Sequence, residues 1–141
     1  MRLIGFNFTK IQAERLKEKA ESIKFGTKVN ISSIEPIDSN MLKTKEDIVK
    51  VNFNYILSYE PEFAKIEISG HAILALDSKM AKEVVKGFKD KGTSDEFRVF
   101  ILNIILRKVN IKALQLEEEL NLPNHLPVIS LNKDSLKEKK E

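Results

Sequence analysis

The segment Phe97–Leu106 constrains this fold more than any other stretch of the chain. Eight of its ten residues are large and apolar, and only Arg98 and Asn103 interrupt the run. Thr93-Ser94-Asp95-Glu96 precedes it and has the form of a capping box, in which a hydroxyl and a carboxylate satisfy each other's end of the first turn. The spacing therefore predicts one helix running to about Glu119, roughly 37 Å long at 1.5 Å per residue. Around such a helix the apolar side chains point in every direction, whereas a helix laid on one sheet needs a single apolar stripe. Burying each is worth roughly 1.5–3 kcal/mol, so leaving half of them wet is expensive. A chain of 141 residues has the size of one domain. Either that small domain wraps the helix completely, or a second subunit covers it. The expectation is a homo-oligomer, with Phe97, Phe100, Ile101, Ile104 and Ile105 at the contact between copies.

The rest of the chain reads as strands and shorter helices. Ile4, Phe6 and Phe8 alternate in a short strand over 2–8. Thr9-Lys10-Ile11-Gln12 fits a capping box, and strong helix formers follow, predicting a surface helix over 10–22. A strand over 26–36 places Val29 and Ile31 on one face. Ile34 falls out of phase with them by one, which makes Ser32-Ser33 a candidate β-bulge, and Pro36 is expected to end regular pairing. Residues 38–46 are polar and read as a loop. Residues 48–59 alternate from Val49 to Tyr59 as a long half-buried strand. Glu60-Pro61-Glu62 turns the chain. Residues 63–76 return as the partner strand, whose far end is apolar on both faces. A helix over 79–91 follows, capped by Asp77 or Ser78, with Gly92 just beyond its end.

Composition excludes several functions. There is no cysteine, hence no disulfide and no thiolate site or nucleophile. The pI is about 9.0, yet the net charge is only +3 and most lysines stand beside carboxylates. Nucleic-acid binding needs a patch of one sign that releases counterions, so no nucleic-acid partner is expected. The first residues lack the apolar run of a signal peptide, and no stretch approaches the ~20 apolar residues of a membrane span. A cytoplasmic protein without membrane insertion is expected. The charged segment 133–141 reads as a disordered tail after a single domain over 1–132.

No motif names a reaction. His71 and His125 stand apart, without the clustered ligands of a metal site, and read as hydrogen-bonded structural residues. Glu117, Glu118 and Glu119 diverge by about 100° each on a helix and read as a solvated helix end. No catalytic residue, metal ligand or cofactor is indicated. Leu120–Leu131 carries Pro123 and Pro127, which break the helix and hold an extended apolar strip. That strip is either a chain end pinned to the sheet or one wall of a groove for another extended chain.

The order of these pieces resembles the SecB and SecB-like protein-export chaperones. Four strands come first, then a long apolar helix, then Leu122-Pro123-Asn124-His125-Leu126-Pro127-Val128, similar to the family's L/F-P-x-x-x-P-V segment. Thr27-Lys28-Val29-Asn30-Ile31-Ser32 resembles its alternating second strand, and the likeness spans residues 25–131. The resemblance implies an α+β fold, an antiparallel four-stranded sheet with helices on one face. It also implies a tetramer built as a dimer of dimers, and ATP-independent binding of unfolded or partly folded polypeptides in apolar grooves. By position Val29 and Ile31 match the family's groove residues. With them Phe25, Ile34, Leu126, Val128 and Ile129 are the candidate polypeptide contacts. Two features depart from the family. The charged tail stands where a second C-terminal helix forms a groove wall, and it is Lys-rich where some members carry an acidic tail. Two other readings stay open: a small oligomeric enzyme with His71 or His125 as general base, and a scaffold subunit for one dedicated partner.

Overall fold

Two long alternating strands form the centre of the fold, because only a central strand can use an unbroken run of inward apolar residues. The computed structural model describes residues 1–37, 46–89, 92–128 and 131–134. Four strands, β1 (Arg2–Arg15), β2 (Lys24–Ile37), β3 (Glu46–Glu60) and β4 (Ala64–Asp77), precede two helices, α1 (Ser78–Lys89) and α2 (Asp95–Leu120). They form one antiparallel sheet in the order β1-β4-β3-β2. Val49, Val51, Phe53, Tyr55, Leu57 and Tyr59 of β3 face inward and are buried, as are Ile66, Ile68, Ala72 and Leu74 of β4. The helices cover this face. The opposite face carries a polar ladder, in which the Asn54 side-chain amide donates to Glu67 at 3.1 Å and Ser69 at 2.7 Å, and that of Asn52 to Ser33 at 2.8 Å. The α+β class expected from the pattern, with helices on one face, is the architecture observed. Among the described residues no helix is long and apolar enough to cross a membrane.

The expected helix over 10–22 is absent. Residues 10–15 instead continue β1, pairing in register from Lys10↔Ser69 to Arg15↔Ala64. Fourteen residues of β4 offer a full-length ladder, and tertiary pairing overrides the helix propensity of a segment with a thin apolar stripe. Thr9 and Ile4 are the bulged residues of β1, so Thr9 caps no helix. Gly70 lies opposite Phe8, where an added Cβ would stand 2.3 Å from the Asn7 carbonyl oxygen, so the close seam between β1 and β4 needs glycine there.

The bulge in β2 is where its phase shift put it: Ile31 pairs with Phe53 and Ser33 with Asn52, leaving Ser32 extra. Pro36 does not end the ladder, since Pro36↔Val49 and Ile37↔Ile48 still pair. A proline is accommodated because β2 is an edge strand. The loop expected over 38–46 lies outside the described residues except for Glu46, which opens β3. The tail over 133–141 lies outside them too, apart from Lys133 and Asp134. The start of α1 matches its signal, the Met80 amide donating to Asp77 at 2.7 Å, while the cap of α2 is Ser94, one residue after the Thr93 of the expected capping box, and it accepts from the Phe97 amide at 3.4 Å.

The geometry of α2 answers part of its apparent all-round apolarity. Its buried row is Phe97, Ile101, Ile105, Val109, Ala113 and Glu117, at intervals of four. Each step of four advances about 40° around a 3.6-residue helix, so the row winds as an inclined ridge, and a helix packed along it crosses the sheet obliquely. Phe97, Ile101 and Ile105, expected between copies, therefore lie entirely under the chain's own sheet and have no surface to offer a partner. Phe100 and Ile104 are half-buried, while Val99 (59% exposed) and Ile111 (53%) face outward.

Candidate functional site

Beside its buried ridge, α2 presents a second row, Arg98, Leu102, Leu106 and Asn110, toward the inner face of β2. The Ser32 bulge matters here. Without it Ile34 would point to the outer face; with it Ile34 opposes the inward Val51, as Ile31 opposes Phe53 and Val29 opposes Tyr55. Phe25, Val29, Ile31 and Ile34 thus share one face. Two hollows lie along the seam. One, of about 320 Å³, is bounded by Val29, Ile31, Ile34 and Leu102. The other, of about 290 Å³, is bounded by Phe25, Thr27, Leu106 and Leu126. Successive residues of the same two walls (Thr27 and Val29, Leu102 and Leu106) line the two hollows, which follow one another as a broken groove along the edge strand.

Five of the seven candidate contacts therefore come together: Phe25, Val29, Ile31 and Ile34 on the strand, and Leu126 at one end. Val128 is exposed and lines neither hollow. Ile129 lies outside the described residues. Leu102 and Leu106 complete the site and are missing from the candidates. Their spacing of four from Arg98 to Asn110, next to the buried ridge, is the signal that marks them.

A buried polar cluster fixes the Leu126 end. Glu117 is fully buried, which corrects its reading as part of a solvated helix end; Glu118 and Glu119 are exposed. Glu117 Oε2 accepts from the His125 backbone amide at 2.9 Å and from the Tyr59 hydroxyl, and Oε1 meets His125 Nδ1 at 2.8 Å. His125 Nε2 lies 3.0 Å from Asn110 Oδ1, which also receives the Tyr55 hydroxyl at 3.4 Å. Burial pushes the Tyr55 hydroxyl up to about 12, with Glu117 adding to the effect, and burial followed by the bond to Glu117 raises Tyr59 further. Asn121, in the left-handed region at φ 53°, ends α2. Arg15 donates to the Leu120 and Asn121 carbonyls at 3.2 and 3.0 Å, tying the end of β1 to the same corner.

Chemically the site is a pair of hollows of mixed lining, apolar side chains alongside Asn30, Thr93 and Arg98 in one and Thr27 and Asn110 in the other, with a polar latch at one end. Both ring nitrogens of His125 are engaged within the protein, and its side chain is almost completely buried. His71 sits on the outer sheet face, 3.4 Å from the Asn7 amide nitrogen. Among the described residues no group of three His, Cys, Asp or Glu side chains is placed to hold a metal ion.

No family model matches the chain, and no curated protein does. Among solved structures, the chain is similar to a SecB-like chaperone from Mycobacterium tuberculosis in complex with a ChAD peptide from the HigA1 antitoxin. The TM-score is 0.53 over 92% of this chain and 87% of that one, at 12% sequence identity. The likeness is one of fold: the two share an α+β architecture.

Proposed function

We propose that this protein is an ATP-independent, SecB-like chaperone that holds extended apolar segments of non-native polypeptides in the groove between β2 and α2. The observation that carries this reading is the groove itself: two hollows in series along an edge strand, each lined in part by apolar side chains. An extended chain repeats its side chains on one face every second residue, so alternate side chains can enter successive hollows. The free edge of β2 offers backbone donors and acceptors that serve any sequence, which suits promiscuous binding. A charged exterior keeps such a loaded surface in solution.

Assembly into a homo-oligomer, in the family's manner a dimer of dimers, belongs to the same proposal. Its support is the apolar surface that α2 leaves uncovered: Val99 and Ile111 are exposed, with Asn103 and Arg107 between them on the outward line, and Phe100 and Ile104 on one flank are half-buried. A dedicated chaperone for one partner is the second reading, favoured by the neighbour's antitoxin peptide.

The test is light scattering from an unrelated denatured protein diluted into buffer without nucleotide. The proposal expects this chain to suppress aggregation, and a Val29→Asp/Leu102→Asp variant to lose that effect while staying folded. Absence of protection by the parent chain, with tight binding to a single natural partner, would replace general chaperoning with the dedicated role.

A further inference from the structure

A separate hollow of about 440 Å³ lies where α1 crosses the ends of β2 and β3, and it shares no lining residue with the groove. Its apolar lining comes from Pro36, Ile37, Ile48, Ala81 and Val85. Its volume falls in the roughly 300–1,000 Å³ range of small-ligand sites. One side is rimmed by Lys82, Lys86 and Lys89, all exposed. Their spacing of four and then three places them on one face of α1. None of the three has an ion-pair partner among the described residues. Asp47 is the single acidic residue of the lining, so three cations face one anion.

The geometry points to a binding site for a soluble single-chain amphiphile with an anionic head, such as a fatty carboxylate. The hydrocarbon chain enters the hollow and the head meets the lysine rim. A neutral apolar ligand would leave the three lysines without a role. A polyanion would make no use of the apolar lining.

Isothermal titration of the full chain with decanoate, below the concentration at which it forms micelles, tests this. Expected is saturable binding of one molecule per chain. Octanoate, two methylenes shorter, should bind at least tenfold more weakly, since each buried methylene is worth about fourfold. The Lys82→Gln/Lys86→Gln/Lys89→Gln variant should lose at least tenfold in decanoate affinity with an unchanged melting curve. Methyl resonances of Ile37, Ile48 and Val85 should shift while those of Val29 and Ile31 stay in place. Absence of saturable binding overturns the assignment. So does equal affinity for decyltrimethylammonium, or an undiminished affinity in the triple variant. Shifts confined to Val29 and Ile31 would also overturn it, by making decanoate a mimic of a polypeptide in the groove. Co-sedimentation with anionic phospholipid vesicles, lost in the triple variant and without decanoate binding, would replace the soluble ligand by a membrane surface.

Discussion

Replacing Glu117 by alanine removes the one charged side chain that is buried among the described residues, and with it three acceptor contacts. Those contacts are to the His125 amide at 2.9 Å, His125 Nδ1 at 2.8 Å and the Tyr59 hydroxyl. Hydrogen bonds to a charged group contribute roughly 1.5–3 kcal/mol each, but neighbours in one network are not additive. Relief from burying the carboxylate offsets part of the loss, and breaking one side of a buried pair costs about 3–5 kcal/mol in net terms. That is a large share of the ~5–15 kcal/mol that holds a domain together. Urea unfolding followed by circular dichroism should therefore show Glu117→Ala less stable by about 3–5 kcal/mol. Amide exchange of residues 122–128 should accelerate before that of β3, because His125 no longer pins the strip. Tyr59→Phe combined with Glu117→Ala should cost less than the sum of the two single changes, since both remove the same bond. A loss below about 1 kcal/mol for Glu117→Ala would be the value for a solvated carboxylate, and would refute the buried latch.

Three further outcomes follow from particular contacts. Gly70→Ala places a Cβ 2.3 Å from the Asn7 carbonyl oxygen and 3.0 Å from Phe53 Cζ, and should lower stability in thermal melts by about 1–3 kcal/mol or more. Ser94→Ala removes the hydroxyl that accepts from the Phe97 amide and should cost about 0.5–2 kcal/mol in chemical denaturation. The raised Tyr55 stabilises the fold below its ordinary value of 10.0 and that contribution disappears as pH rises toward about 12. Unfolding across that window should be steeper for the parent chain than for Tyr55→Phe, with tyrosinate absorbance reporting the ionisation.

The strands were legible in the chain because their burial is one-sided. Strict alternation through Val49–Tyr59 and the phase shift at Ser32-Ser33 translate directly into inward faces and a bulge. The groove residues on β2 followed from that alternation. The end of β1 was not legible, since Glu14 and its neighbours favour a helix locally and only the long partner β4 decides otherwise. Charges along an edge strand suit its exposed side, so they carry no vote against it. Glu117 was obscured by Glu118 and Glu119, although counting in fours from Phe97 places it alone on the buried ridge. The same count separates Phe97, Ile101 and Ile105, which the sheet covers, from Leu102 and Leu106, which wall the groove.

Methyl-resolved resonance titration with an extended apolar peptide examines the groove most directly. The account predicts saturable shifts at Val29, Ile31, Ile34, Leu102, Leu106 and Leu126, and none at Ile66 or Leu74 under the core. A peptide that binds elsewhere, or fails to bind while the fold stays intact, would contradict it.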